Sequence, residues 1–154
     1  MVDHAELLQR MGETPALARS AGAGAAAPVV PGGWPPQVVL GHLAYVERTV
    51  WLPRLHEMAD GDGSVVPLWQ WWEPDGVDWD GLFGGRDFED VADEFELERN
   101  ATLSYLGQLP EDRWARRARH AVFGELAVAG LCEEVLAHDH NHLGQLREGR
   151  PAGR

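Results

Sequence analysis

The sequence predicts an all-α fold, a four-helix bundle, and three observations carry that reading. Four stretches repeat their apolar residues at spacings of three and four, the helical period. Breaks rich in glycine and proline separate them. No stretch alternates apolar with polar residues in the manner of a half-buried strand. The 154 residues suit a single domain, residues 1–154, around one core.

The first helix opens at Asp3, whose carboxylate faces the amides near Glu6 in a capping-box pattern. Leu7, Leu8 and Met11 form its apolar face. Thr14-Pro15 reads as a second start, with threonine as cap and proline at the first helical position. This arm ends near Gly22, and residues 23–33 read as a loop closing in Pro31-Gly32-Gly33. Pro35-Pro36 fits only the first turn of the second helix, where missing N–H groups cost nothing. Val39, His42, Val46 and Val50 make one face of it. Pro53 is expected to kink its end, and Gly61-Asp62-Gly63 stops it.

The connection 64–86 holds Trp69, Trp71, Trp72 and Trp79. Loops of this length are uncommon and often functional. Its tryptophans read as satellite core or as a lid over a substrate. The third helix runs from Asp87 through Phe88, Val91, Phe95, Thr102 and Leu106 to Leu109-Pro110. The fourth starts near Gly124 and reaches about Glu148, with Leu131, Val135, His138, His142 and Leu146 along one side.

Charge and cysteine content narrow the function classes. A net charge of −12 opposes phosphate backbones, so no nucleic-acid partner is expected. Arg113, Arg116, Arg117 and Arg119 cluster, but on what reads as a loop or helix end. The single cysteine, Cys132, excludes an intrachain disulfide and fits a reducing compartment. Its neighbours Leu131, Val135 and Leu136 mark it as a small buried hydrophobe. No apolar run suits a membrane span, and the acidic start does not read as a secretory signal, so a cytoplasmic location is expected. Ala16, Ala18 and Ala21 allow close helix approach in the first arm, and a homodimer is expected.

The chemistry concentrates in His138-Asp139-His140-Asn141-His142. Residues four apart share a helix face, so His138 and His142 can reach one metal. His140 points elsewhere and reads as a solvated residue. His138 and His142 continue the apolar stripe, and His42 sits between Val39 and Val46 on another. Buried imidazoles need partners. A shared metal and a hydrogen-bonded histidine cluster both satisfy that need. Other metal and catalytic patterns fail. His56-Glu57-Met58-Ala59-Asp60 lacks the second histidine of a zincin helix, and no Glu-x-x-His pair, phosphate loop or nucleophile elbow is present.

Trp34-Pro35-Pro36-Gln37-Val38-Val39-Leu40-Gly41-His42-Leu43 resembles the W-S-x-x-x-x-x-x-H-L opening of the second helix in the DinB-like family. His138 to Leu146 is similar to that family's closing H-D-x-x-H-x-x-Q-I/L, and Phe95-Glu96-Leu97-Glu98-Arg99 to its F-x-x-x-R. The pieces follow in order over nearly the whole chain. Pro35 departs from the usual Ser or Thr cap. The resemblance implies an up-down-down-up four-helix bundle whose metal is held by His42, His138 and His142. All-imidazole sites accept several divalent ions, with zinc and nickel expected foremost and iron behind them.

Three imidazoles leave a coordination position open, the mark of a catalytic zinc site. The family's thiol-dependent S-transferases and mycothiol-dependent maleylpyruvate isomerase then imply a thiol S-transferase. Its partners would be a low-molecular-weight thiol and a small-molecule substrate. A metal-dependent hydrolase and a non-catalytic metal-binding stress protein are the alternatives. Asp139 or Glu134 reads either as orienting a ligand histidine or as a plain surface carboxylate.

Overall fold

The computed structural model describes residues 2–25, 33–70 and 76–148. Pro31, Gly32, Trp71 and Trp72 lie outside the described residues. The fold is the expected four-helix bundle, with a small sheet added. Helix α1 (His4–Ala23) packs on α4 (Phe88–Gly107) and α5 (Val128–Glu148), and α2 (Pro36–Val46) packs on α4.

Asp3 caps α1, its Oδ1 accepting from the amides of Ala5 and Glu6 at 2.9 and 3.3 Å. The expected second start at Thr14-Pro15 does not occur, because α1 runs unbroken through both residues. Proline inside a helix strands the carbonyl four residues back, at a cost of about 3 kcal/mol. Here that carbonyl belongs to Met11, and it accepts from Arg99 Nη1 at 2.9 Å. A tertiary donor replaces the missing backbone one.

The second helix also continues further than its prolines suggest. After α2 a π-helical turn covers Glu47–Trp51, and α3 (Leu52–Ala59) follows with Pro53 in its first turn. The Leu52 amide donates to the Glu47 carbonyl, five residues back. The wide turn thus takes up the disturbance expected as a kink at Pro53. Arg113 Nη1 then donates to the carbonyls of Ala59, Asp60 and Gly61 at the end of α3. One member of the arginine run is therefore spent on a helix C-terminus.

The sheet is a correction. Strand β1 (Leu68–Trp69) lies parallel to β2 (Arg117–His120), and β2 is antiparallel to β3 (Gly124–Ala127). Residues expected to be loop and the first turn of α5 are strands instead, and α5 begins at Val128. Strands of two and four residues are too short to show a period. In β2 the inward residues are Ala118 and His120, so its alternation carries little hydrophobic signal. The His120 ring closes the hairpin, Nδ1 accepting from the amides of Val122 and Phe123 at 3.0 and 3.3 Å.

One apolar cluster gathers Leu55, Leu106, Leu131 and Cys132 near the sheet. A second gathers Ala18, Val39, Phe95 and Leu143. Ala18 is therefore spent inside the chain's own core, not on an exposed face. No helix of the described residues is long and apolar enough to cross a membrane.

Candidate metal centre

His42 on α2 meets His138 and His142 on α5, and the helical spacing of the latter two puts both on one face. The ring centroids stand 5.3 Å apart for His42 and His138, 4.7 Å for His42 and His142, and 4.6 Å for His138 and His142. One nitrogen of each ring lies within 4.8 Å of the other two. The closest pair is His42 Nε2 and His138 Nε2, at 3.3 Å. His140 is exposed and outside the group, as its helical phase requires.

Electrostatics keep these rings neutral. Burial, with His142 nearby, pushes His42 down to about 3. Burial and the neighbouring rings hold His138 well below the ordinary imidazole range, and burial also lowers His142. Neutral imidazole offers a lone pair, and protonated imidazole offers none. The Oε1 of Gln145 lies 2.8 Å from His142 Nδ1. An amide oxygen only accepts, so Nδ1 carries the proton and Nε2 is left with its lone pair.

The residues fit a divalent ion. Two nitrogens each about 2.0–2.1 Å from one tetrahedral ion stand roughly 3.3–3.4 Å apart, close to the His42–His138 separation. The cluster does not satisfy itself internally. His42 Nδ1, His138 Nδ1 and Gln145 Nε2 are buried without hydrogen-bond partners in the structure. Three neutral nitrogen donors with no carboxylate among them suit a borderline ion such as zinc or nickel better than magnesium or calcium.

The family model of the DinB superfamily matches residues 5–146. The chain belongs to the DinB superfamily. Among solved structures it is similar to YfiT from Bacillus subtilis, described as a probable metal-dependent hydrolase with an unusual four-helix bundle topology. That likeness has a TM-score of 0.69 at 15% identity and covers 97% of this chain and 88% of YfiT. At such identity it shows a shared fold. No curated protein matches the chain.

Around the histidines, this DinB-superfamily chain arranges three tryptophan rings, of which the sequence reading names Trp34 and Trp79 but not Trp51. Trp34 lies 5.1 Å from His42 and parallel to His142, Trp79 stands edge-on to His42 at 4.6 Å, and Trp51 is edge-on to His138 at 5.6 Å. Trp79 alone among the described tryptophans of the 64–86 connection touches the site. Trp69 is buried in the other apolar cluster, donating from Nε1 to Glu57 at 2.9 Å. Beside His42, Gly41 admits the Phe83 ring, where an added Cβ would come within 2.2 Å of it.

Neither carboxylate expected to orient a ligand does so. Asp139 is buried, not a surface residue, and both its oxygens accept from Arg99, at 2.8 and 2.9 Å. The Thr14 hydroxyl adds a third bond at 2.9 Å. Glu134 touches none of the three rings, and burial raises its carboxyl. The orienting group is Gln145, one helical turn beyond His142. Gln145 stood in the closing motif, and its i+3 spacing was the available signal. Arg99 and Glu47 were missed as a pair because they are 52 residues apart in sequence. The Cys132 thiol is pushed up to about 12 by burial, which fits a small hydrophobe and not a nucleophile.

Proposed function

We propose that His42, His138 and His142 hold one divalent cation and that the protein is a metal-dependent enzyme activating a low-molecular-weight thiol for transfer to an electrophile. The convergence of three neutral, core-facing imidazoles carries this reading. A bound dication supplies Lewis acidity that favours the deprotonated nucleophile. The rest falls to the chain. His42, His138 and His142 would occupy three positions and leave another for the reactant. Gln145 holds the His142 tautomer, and Trp34, Trp79 and Trp51 crowd the rings with apolar surface that excludes water.

The choice of thiol over water rests on proton affinity. Asp139, the carboxylate beside His138, has both oxygens engaged by Arg99 and Thr14, so it is no free base. With that carboxylate engaged, the acidifying falls to the metal. A thiol near pKa 8.5 needs far less of it than water, whose proton is held much more tightly.

Hydrolysis is the second reading, favoured by the structural likeness to YfiT, a probable metal-dependent hydrolase. Metal analysis followed by turnover assays separates the two. Glutathione, bacillithiol and mycothiol are each offered with an electrophile, against ester and amide substrates without thiol. Metal-dependent thiol consumption that disappears in His42→Ala is the expected result. Turnover of esters or amides alone would replace transfer with hydrolysis. Absence of both would leave plain metal binding.

A further inference from the structure

Among the described residues, the buried polar group with the most bonds is not in the histidine cluster. Arg99 on α4 is fully buried, and all five of its N–H donors are used. Nε and Nη2 donate to the two Glu47 oxygens at 2.9 and 3.0 Å. Nη2 and Nη1 donate to the two Asp139 oxygens, and Nη1 also to the Met11 carbonyl at 2.9 Å. The guanidinium thereby joins α1, the π turn following α2, and α5 to its own helix.

Two of these partners are placed beside the histidines. Asp139 follows His138 by one residue and precedes His142 by three. One residue is about 100° of helix rotation, so fixing the Asp139 side chain fixes the direction in which both histidines leave α5. Glu47 lies in the turn that continues the His42 helix. We propose that Arg99 is a positioning residue for the histidine triad, its clamp on Asp139 and Glu47 setting the rotation of α5 against α2. The proposal rests on the metal-centre reading for its functional consequence.

The local sequence supports the device. Pro15 removes the amide that would occupy the Met11 carbonyl, and Thr14, next to it, donates to Asp139. A lysine at position 99 would bring three donors from one point, where the site uses five in a planar fork.

The test compares wild type with Arg99→Lys, Thr14→Val and Leu55→Ala. Leu55→Ala opens a cavity in the apolar cluster near the sheet, at a residue outside the histidine group, and serves as a control for general destabilisation. Two readouts are taken at a temperature where each variant keeps wild-type helix content. One is the set of ring-to-ring NMR contacts among His42, His138 and His142 in metal-free protein. The other is Co(II) affinity, with the visible spectrum of the bound ion. The expected result for Arg99→Lys is loss of the His42–His138 contact, a changed Co(II) spectrum and affinity weaker by about 10–100-fold. Thr14→Val shifts the same signals in the same direction by less. Leu55→Ala lowers the unfolding midpoint and moves neither readout. Arg99→Lys with wild-type ring contacts, spectrum and affinity overturns the proposal and makes Arg99 a stability brace only. If Arg99→Lys does not fold, Thr14→Val decides, and unchanged ring contacts overturn it. A wild-type protein that takes up no Co(II) refutes the metal-centre reading instead, and the ring contacts still decide positioning.

Discussion

Two buried polar clusters lie side by side in this bundle and are finished to different degrees. Around Arg99 every guanidinium donor has an acceptor, and both Asp139 oxygens are engaged. Around His42, His138 and His142, polar atoms of two of the rings and of Gln145 lack partners among the described residues. Buried polar atoms are rarely left so. The first cluster is complete within the chain. The second is incomplete: the Nε2 atoms of His42 and His138 face each other at 3.3 Å, while the Nδ1 atoms of both rings are left over. A saturated network suits a structural joint, whereas an open one suits a ligand site.

The sharpest way to break that contrast is to remove a nitrogen donor. His138→Ala should abolish most metal uptake, from about one ion per chain to near none by elemental analysis, and His140→Ala should leave it intact. Equal losses would show that the wrong face of α5 has been assigned. Next in size is the saturated cluster itself. Arg99→Ala strands two buried carboxylates and should cost about 3–5 kcal/mol by urea denaturation of metal-free protein. A cost below 1 kcal/mol, a threshold set by ordinary exposed ion pairs, would mean the network is not the joint described here.

Gln145→Ala sharpens the comparison further. It frees the His142 ring to change tautomer and should weaken metal binding by about 10–100-fold, while metal-free protein loses about 1–3 kcal/mol for the one stranded buried donor, less than Arg99→Ala. Binding equal to wild type would remove Gln145 from the site.

Acid provides a graded probe. His42 has an ordinary value of 6.5 unfolded and about 3 folded, and His138 and His142 are lowered too. Between those limits the unfolded chain binds more protons, so stability increases with pH. The histidine contribution is therefore complete above 6.5 and is lost as pH falls from there towards 3. NMR titration of metal-free protein should show the His42 ring neutral until pH nears 3. A His42 titrating near 6.5 would mean the ring is solvated. The smallest effect belongs to Pro15→Ala. It restores an amide that competes with Arg99 for the Met11 carbonyl, and the two contributions should cancel to within about 1 kcal/mol in thermal unfolding. A loss above 3 kcal/mol would show that Arg99 depends on proline for its seat.

Much of the centre was legible because its information is local. His138 and His142 are four apart, and any helix puts them on one face. His42 lies on a valine stripe that only the core explains. The Asp3 cap and the glycine stop after α3 were legible for the same reason. Asp139 was misread because a carboxylate between histidines looks like a solvated residue or a ligand's partner, and its actual partner comes from another helix. The tryptophans divide. Trp69 is core, one of the two readings open to it, whereas Trp34, outside the Trp-rich stretch, packs against the triad.

The sequence by itself determined the number of bundle helices, their apolar faces and the inward facing of His42, His138 and His142, because periodicity acts over a few residues and survives without tertiary context; it gave no sign of the buried His120. Only the tertiary structure decided that Thr14-Pro15 continues a helix, since the stranded Met11 carbonyl is satisfied by a guanidinium 88 residues away. It also decided that Leu68–Trp69 and Arg117–Ala127 pair into a sheet. Strands this short gain their hydrogen bonds only from a neighbour brought by the chain's folding, so none of the three announces itself alone. The same holds for Arg99, whose five acceptors come from three other segments of the chain. A side chain's donor count is written in the sequence, but what saturates it depends on which helices come together.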